Sequence, residues 1–241
     1  MSKASKNINI EDIKVYEDDH YIVINKPAFI STLEDRSDPQ NILSLFKEQY
    51  SDVFVCHRLD KETSGALLLA KDEESYRHAA IQFEERKVDK VYHALVEGKF
   101  MDETIQVDMP LRIAGSGRVK TDPRKGKEAV TLFRPKKYMG NYTLVEAKPV
   151  SGRRHQIRVH LGYLGFPICG DTYYSGKPIF LSAMKKNYKL AEGREERPLF
   201  DRVALHAYSL ELVDGAGKTL SVTCDYPKDM DMIMNKIEKF G

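Results

Sequence analysis

The stretch from Phe54 to Asp72 constrains the fold more than any other part of the chain. Two apolar runs, Phe54 to Cys56 and Ala66 to Ala70, read as strands entering a buried sheet. Between them stand Arg58, Asp60, Lys61 and Glu62, followed by Thr63-Ser64-Gly65. Charges seldom separate two core-bound segments unless they are paired or used. An ionised Asp60 at a strand end, close to cationic groups, has the chemistry of a nucleophile or a base. The plainer alternative makes Asp60 a turn residue with Arg58 as its surface partner, because structural ion networks place charges in the same way.

A second stretch favours the chemical alternative. Ser151-Gly152-Arg153-Arg154-His155-Gln156-Ile157-Arg158-Val159-His160-Leu161 alternates polar and apolar residues while carrying three arginines and two histidines. That is the pattern of a solvated edge strand. Yet it runs directly into Gly162 to Ile168, which reads as core.

His57-Arg58-Leu59-Asp60 with Thr63-Ser64-Gly65 resembles the signature of the RluA-type RNA pseudouridine synthases, and the stretch from Ser151 to Leu161 resembles that family's second long motif. Asn25-Lys26-Pro27 is similar to its early lysine-proline element, Lys90 to Gly98 to its tyrosine element, and Leu205-His206-Ala207 to a late one. The resemblance runs from about Val15 to Pro227, and the motifs fall in the family's order. Family members often carry a glycine after the lysine-proline element. Here Ala28-Phe29 stands instead, so the loop from Phe29 to Arg36 is expected to take another path.

The resemblance implies an α+β fold, a mixed and mostly antiparallel sheet with flanking helices and a central RNA-binding cleft. It implies isomerisation of uridine to pseudouridine within an RNA chain. The N-glycosidic bond breaks, the base turns, and carbon 5 bonds to the anomeric carbon. Nothing is oxidised, hydrolysed or transferred from a donor, so neither cofactor nor metal is expected. Asp60 matches the catalytic aspartate, Arg158 its ion-pair partner, and Tyr92 the ring that stacks on the flipped uracil. Arginine suits its role because it is always protonated and bonds as a fork. Arg58, Leu205 and Arg154 are expected to contact the substrate. Thr63 and Ser64 are read as fixing the Asp60 turn, and His57, His155 and His160 as structural or RNA-contacting.

Net charge is only +2, so an RNA-binding face has to come from charge segregation. From Arg112 to Lys137 nine cations stand against two anions, a net of +7. Gly115, Gly117, Pro123 and Gly126 make this segment read as irregular. The bland reading is a solvated hairpin. The favoured one is an RNA-backbone contact through Lys125 and Lys127, since such a charge attracts phosphates and releases counterions. Cys56, Cys169 and Cys224 are far apart with no Cys-x-x-Cys pair, which fits reduced, mostly buried thiols in a cytoplasmic protein. No run is long and apolar enough to suggest a membrane span.

Residues 1–10 read as a flexible tail and 11–241 as one catalytic domain, with no room for a separate RNA-binding module before Val15. Short strands are expected at Val15-Tyr16 and Tyr21 to Ile24, with Pro27 ending the second. A helix capped by Asn41 is expected up to Tyr50. Another follows Asp72, with Tyr76, Ala79, Ala80 and Phe83 on one face and Arg86-Lys87 closing it. Val91 to Val96 and Tyr142 to Val150 read as strands. Gly176 to Asp201 reads as an excursion, either over the site or decorative. A hairpin around Asp214-Gly215-Ala216-Gly217 precedes an amphipathic helix carrying Met230, Ile233, Met234 and Ile237. The partner implied is a ribosomal or transfer RNA stem-loop, bound by a monomer. Two rivals remain. A non-catalytic RNA-binding protein on this scaffold needs no intact Asp60 motif, and a glycoside or nucleoside hydrolase normally needs a second facing carboxylate.

Overall fold

The computed structural model describes residues 8–34, 40–100, 103–115, 117–185, 188–190 and 193–240. Residues 1–7 of the expected tail, and residues 35–39 at the end of the loop after Phe29, lie outside the described residues. The first elements are α1 (Ile10–Ile13), β1 (Lys14–Glu17), β2 (Tyr21–Lys26), α2 (Ile42–Lys47), β3 (Phe54–Val55), β4 (Ser64–Ala70) and α3 (Glu73–Glu84). Then come β5 (Asp89–Glu97), β6 (Ile105–Asp108), β7 (Leu111–Ile113), β8 (Val119–Thr121), β9 (Val130–Met139) and β10 (Tyr142–Pro149). The chain closes with α4 (Gln156–Tyr163), β11 (Leu205–Val213), β12 (Thr219–Thr223) and α5 (Lys228–Phe240). This is the α+β class expected, with strand pairing that is mostly antiparallel.

Contacts divide the chain into two compact units, residues 1–91 with 206–225 and residues 92–205 with 226–241. In the first, β4 is the central strand. It pairs antiparallel with β2 and β3 and parallel with β11, and β12 closes the β11 hairpin. Every residue of β4 is buried, so its sequence is continuously apolar rather than alternating. Helix α2 starts in a capping box between Asn41 and Ser44, and α3 starts where Asp72 accepts from the Ser75 N–H at 2.7 Å. Gln82 of α3 exchanges two hydrogen bonds with the backbone of Val213, at 2.7 and 3.1 Å, which ties the helix to the end of β11. The last turn of α3 carries no base. Arg86 sits beyond it in the left-handed region, at φ 61, so Arg86-Lys87 follow the helix instead of closing it.

The second unit holds the antiparallel strands β5-β10-β9-β6 and a separate β7–β8 ribbon. Helix α5 buries the four residues its spacing singles out, Met230, Ile233, Met234 and Ile237. Its first turn is anchored by Asp229, which receives a fork from the buried Arg202 at 2.6 and 2.9 Å. Two expectations fail here. Residues 156–163 form a helix, not an edge strand; Tyr163 at its end and Gly165 beyond it are exposed, so the segment to Ile168 is only partly core. The basic segment from Arg112 to Lys137 is largely strand, built from β7, β8 and β9. The causes differ: in the first stretch buried polar side chains are satisfied by bonds inside the protein, so polarity does not report exposure, and in the second the glycines and proline fall in turns between strands. Within the excursion, Ile179 bridges to Phe200, and both are buried with Met184, so part of it packs into the core of this unit.

Gly65 leaves no room for a side chain. Gly65 has φ +112, and a Cβ there would stand 2.1 Å from the carbonyl oxygen of Ala207 on the neighbouring parallel strand. Gly65→Ala is therefore expected to cost at least about 2–3 kcal/mol, seen as a lower urea midpoint. A wild-type midpoint would show that the β4–β11 contact is slack.

Candidate active site

In the first unit the chain leaves β3, carries Asp60 through a short loop and re-enters at β4. Side chains alternate about it: Arg58 is exposed, Leu59 buried, Asp60 half-buried. The loop is pinned at nearly every residue. His57 accepts the Leu68 N–H through Nε2 at 3.1 Å and stacks on Phe83 at 4.8 Å. Thr32 brackets Leu59, donating to its carbonyl at 3.0 Å and accepting its N–H at 3.3 Å. The Thr63 N–H closes a turn onto the Asp60 carbonyl at 3.0 Å. The Lys61 carbonyl accepts from the Phe29 N–H at 2.8 Å and from Lys26 Nζ at 3.4 Å.

Lys26 is 0% exposed and also donates to the carbonyls of Pro27 and Ile30, at 2.8 and 3.0 Å. A buried ammonium is costly unless its protons are used, and here carbonyl oxygens use them. The effect is to hold the lysine-proline loop against the Asp60 loop. Ser64 is also buried. His206 Nε2 meets the Cys224 carbonyl at 3.1 Å, which can only accept, so Nδ1 is left to accept the Ser64 hydroxyl at 3.0 Å. The hydroxyl of the serine expected to fix the Asp60 turn through backbone bonds thus goes to a histidine on β11.

In the second unit, α4 presents Arg158. Its guanidinium forks onto Asp171, Nε to Oδ2 at 2.7 Å and Nη2 to Oδ1 at 2.8 Å, with side chains only 7% and 1% exposed. The Tyr174 ring lies against it at 5.1 Å. Tyr174 hydroxyl accepts the Val119 N–H at 3.3 Å and meets His155 Nδ1 at 2.9 Å. His155, at the head of α4, is held at φ 54, a strained setting for a residue with a Cβ. Gln156 uses both ends of its amide. It donates to the Val130 carbonyl and Thr131 hydroxyl and accepts from the Ser151 hydroxyl and Arg153 N–H, all within 3.0 Å. His160 meets the Met109 carbonyl through Nε2 and the Thr131 hydroxyl through Nδ1, and burial holds its pKa down. His57 and His160 are therefore neutral structural groups.

Tyr92 is half-buried on β5 opposite Ala147 of β10, and it packs against the core cluster that includes Leu205. Leu205 is itself buried. Arg154, Lys125 and Lys127 are exposed. The loop bearing Lys125 and Lys127 is ordered by Asp122, whose carboxylate accepts the N–H groups of Arg124 and Lys125 at 3.2 and 3.0 Å and pairs with Arg112 at 2.7 Å. The Lys125 N–H first, then Arg124 and Arg112, hold its carboxyl below the usual range. Asp60 belongs to the first unit; Tyr92, Arg154, Arg158 and Leu205 belong to the second. Sequence reasoning missed Asp171 and Tyr174. The only signal was an acidic residue close behind an arginine-rich motif.

With this geometry in hand, a family model described as RNA pseudouridylate synthase matches residues 20–163. The ribosomal large subunit pseudouridine synthase C of Vibrio cholerae is 33% identical over 243 residues, covering 99% of this chain and 73% of that protein. The dual-specificity RNA pseudouridine synthase RluA of Vibrio parahaemolyticus is 32% identical over 235 residues, covering 92% and 87%. Among solved structures, human RNA pseudouridylate synthase domain containing 4 superposes with a TM-score of 0.70 at 25% identity, over 95% of this chain and 94% of that one.

His57 gives the Asp60 loop a pH dependence. Burial first, and the Lys90 charge second, push its pKa from 6.5 down to about 3. A folded pKa below the unfolded one means that stability is full above pH 6.5 and falls as pH drops from there toward 3, by at most about 1.4 kcal/mol per pH unit. His57→Gln keeps an acceptor for Leu68 but cannot titrate. The stability gap between wild type and variant should therefore shift by about 1–2 kcal/mol between pH 7 and pH 5. Chemical denaturation at each pH measures it, and a constant gap would mean that His57 is not held neutral.

Proposed function

The chain belongs to the RNA pseudouridylate synthase family, and we propose that it isomerises a uridine in ribosomal or transfer RNA using Asp60 as its catalytic carboxylate, working as a cytoplasmic monomer. The observation that carries this reading is the Asp60 loop itself. A half-buried carboxylate is carried between two strands on a loop tied at Leu59, the Asp60 carbonyl and Lys61, so the backbone under it is fixed.

The reaction is balanced within one nucleotide. The bond from nitrogen 1 to the anomeric carbon breaks and the bond from carbon 5 to that carbon forms. The carbon 5 proton is lost and nitrogen 1 gains one. A carboxylate serves this in either of two ways, by attacking the anomeric carbon or by removing the 2′ proton. In this reading Arg158 is the cation that partners Asp60 during catalysis. Its fork with Asp171 supports the role, because two of its N–H groups are fixed and the plane of the guanidinium is set. Tyr92 stacks on the extruded uracil, worth roughly 1–3 kcal/mol against a flipping cost of a few kcal/mol. Leu205 supplies apolar surface to the base. Arg58 and Arg154, both exposed, contact the RNA backbone.

The names of the relatives speak for ribosomal RNA in one case and dual specificity in another. The ordered, exposed Lys125 and Lys127 supply a sequence-independent part of the binding.

Asp60→Asn is expected to abolish pseudouridine formation in cellular RNA while leaving RNA affinity within a few-fold of wild type. Site-resolved pseudouridine mapping with either protein reads this directly. Residual turnover by the variant would remove Asp60 from the chemistry, and release of free uracil by the wild type would make the enzyme a hydrolase. Replacing Lys125 and Lys127 together by Gln should reduce the slope of log affinity against log salt by about 1–2. An unchanged slope would show that this loop does not touch phosphate.

A further inference from the structure

Two groups not assigned above, Tyr173 and Arg118, meet Tyr174 and His155 in the second unit. Tyr173 lies in the single helical turn Thr172–Tyr174 that follows Asp171, and its side chain is 43% exposed. Exposed as it is, the ring packs edge-on against two others. It meets Tyr174 edge-on at 5.1 Å and 86°, and His155 edge-on at 6.1 Å and 83°. The guanidinium of Arg118, from the β7–β8 connection, lies over both tyrosines, 5.3 Å from the Tyr173 centroid and 5.4 Å from that of Tyr174. Tyr174 supplies the buried contacts and the hydrogen bonds to Val119 and His155, so the packing of this corner is complete without Tyr173.

From this arrangement we infer that Tyr173 and Arg118 form a stacking platform for an unpaired base neighbouring the target uridine, a reading that rests on the proposal that this chain acts on RNA. A ring already fixed by two edge contacts loses little freedom when a base lies on it. The guanidinium over the ring adds a flat cationic surface of the kind that unstacked bases and the phosphates between them both accept. Exposed Lys120, Arg153 and Arg154 of the same unit add attraction for the backbone on either side. The platform is also close to the proposed chemistry. Tyr174 touches Tyr173 on one side and the Arg158 guanidinium on the other, each at 5.1 Å. A nucleotide stacked on Tyr173 is therefore a near neighbour of one reaching Arg158, and the platform selects targets whose flanking base is unpaired.

The test is a binding measurement that needs no turnover. Affinities of the full chain, made inactive by Asp60→Asn, are compared for a short oligouridylate and for an abasic strand with the same phosphates. Stacking of about 1–3 kcal/mol corresponds to roughly 5–150-fold. Tyr173→Ala should lower the preference for the base-bearing strand by at least about fivefold, Tyr173→Phe should retain it, and the salt slope should be the same in all three. A preference unchanged in Tyr173→Ala overturns the platform, as does an equal loss in Tyr173→Phe. Pseudouridine mapping with the Asp60-intact protein separates this from the functional reading. A ring-dependent preference without product in any RNA sinks the isomerase and leaves the platform standing, and product without such a preference does the reverse.

Discussion

A buried ion pair organises the second unit. Arg158 and Asp171 are each almost wholly out of water and are joined by two short, parallel hydrogen bonds. Desolvating either charge alone would be prohibitive, and removing one partner from such a pair typically costs about 3–5 kcal/mol. The pair therefore acts less as a source of stability than as a geometric constraint. It locks the face of α4 to the turn after Gly170. The turn in turn positions Tyr174, and Tyr174 reaches the ribbon at Val119 and the head of α4 at His155. Helix, turn and ribbon keep a fixed relation because one guanidinium has one low-energy orientation.

The first unit solves an analogous problem without a carboxylate. Lys26 is buried against carbonyl oxygens, and one of these belongs to Lys61, next to Asp60. His57 remains neutral so that it can accept a backbone N–H, and His206 relays between Ser64 and the Cys224 carbonyl. In each case a polar side chain is spent on positioning backbone. The result is a loop whose backbone is determined while the carboxylate at its centre is half-buried. That division is what the role proposed for Asp60 asks for, since precision in supporting groups is what holds a reactive one in place. The same logic appears at the platform proposed for Tyr173, where packing fixes a ring that the interior does not need.

Much of this was legible from residues alone. The apolar runs on either side of Asp60 are β3 and β4, Asn41 and Asp72 cap helices, and the spacing of Met230, Ile233, Met234 and Ile237 names the buried face of α5. These signals are local: a period, a cap or a turn reports itself over a few positions. The stretch from Ser151 to Leu161 defeated the same method. Its alternation looks like a strand with a wet face, but Gln156, Arg158 and His160 are all buried, each bonded to a partner far away in sequence or across a turn. A pattern rule treats polarity as a sign of water, and it fails where the interior supplies the hydrogen bonds. The glycines and proline between Arg112 and Lys137 misled in a different way. Gly115 and Gly117 lie in the β7–β8 turn and Pro123 and Gly126 in the tight loop around Asp122, and the strands between are left intact.

What the sequence determined by itself was the family, through the order and spacing of its motifs, and the concentration of positive charge between Arg112 and Lys137. Side-chain identity is written in the chain, and reactivity follows from it. What only the tertiary structure decided was who holds whom. Nothing along the chain pairs Arg158 with Asp171, sets Tyr174 between Arg158 and Arg118, or brings Lys26 to the Lys61 carbonyl. Those relations arise from burial, because polar groups removed from water must find partners in space, and space is not ordered as the sequence is.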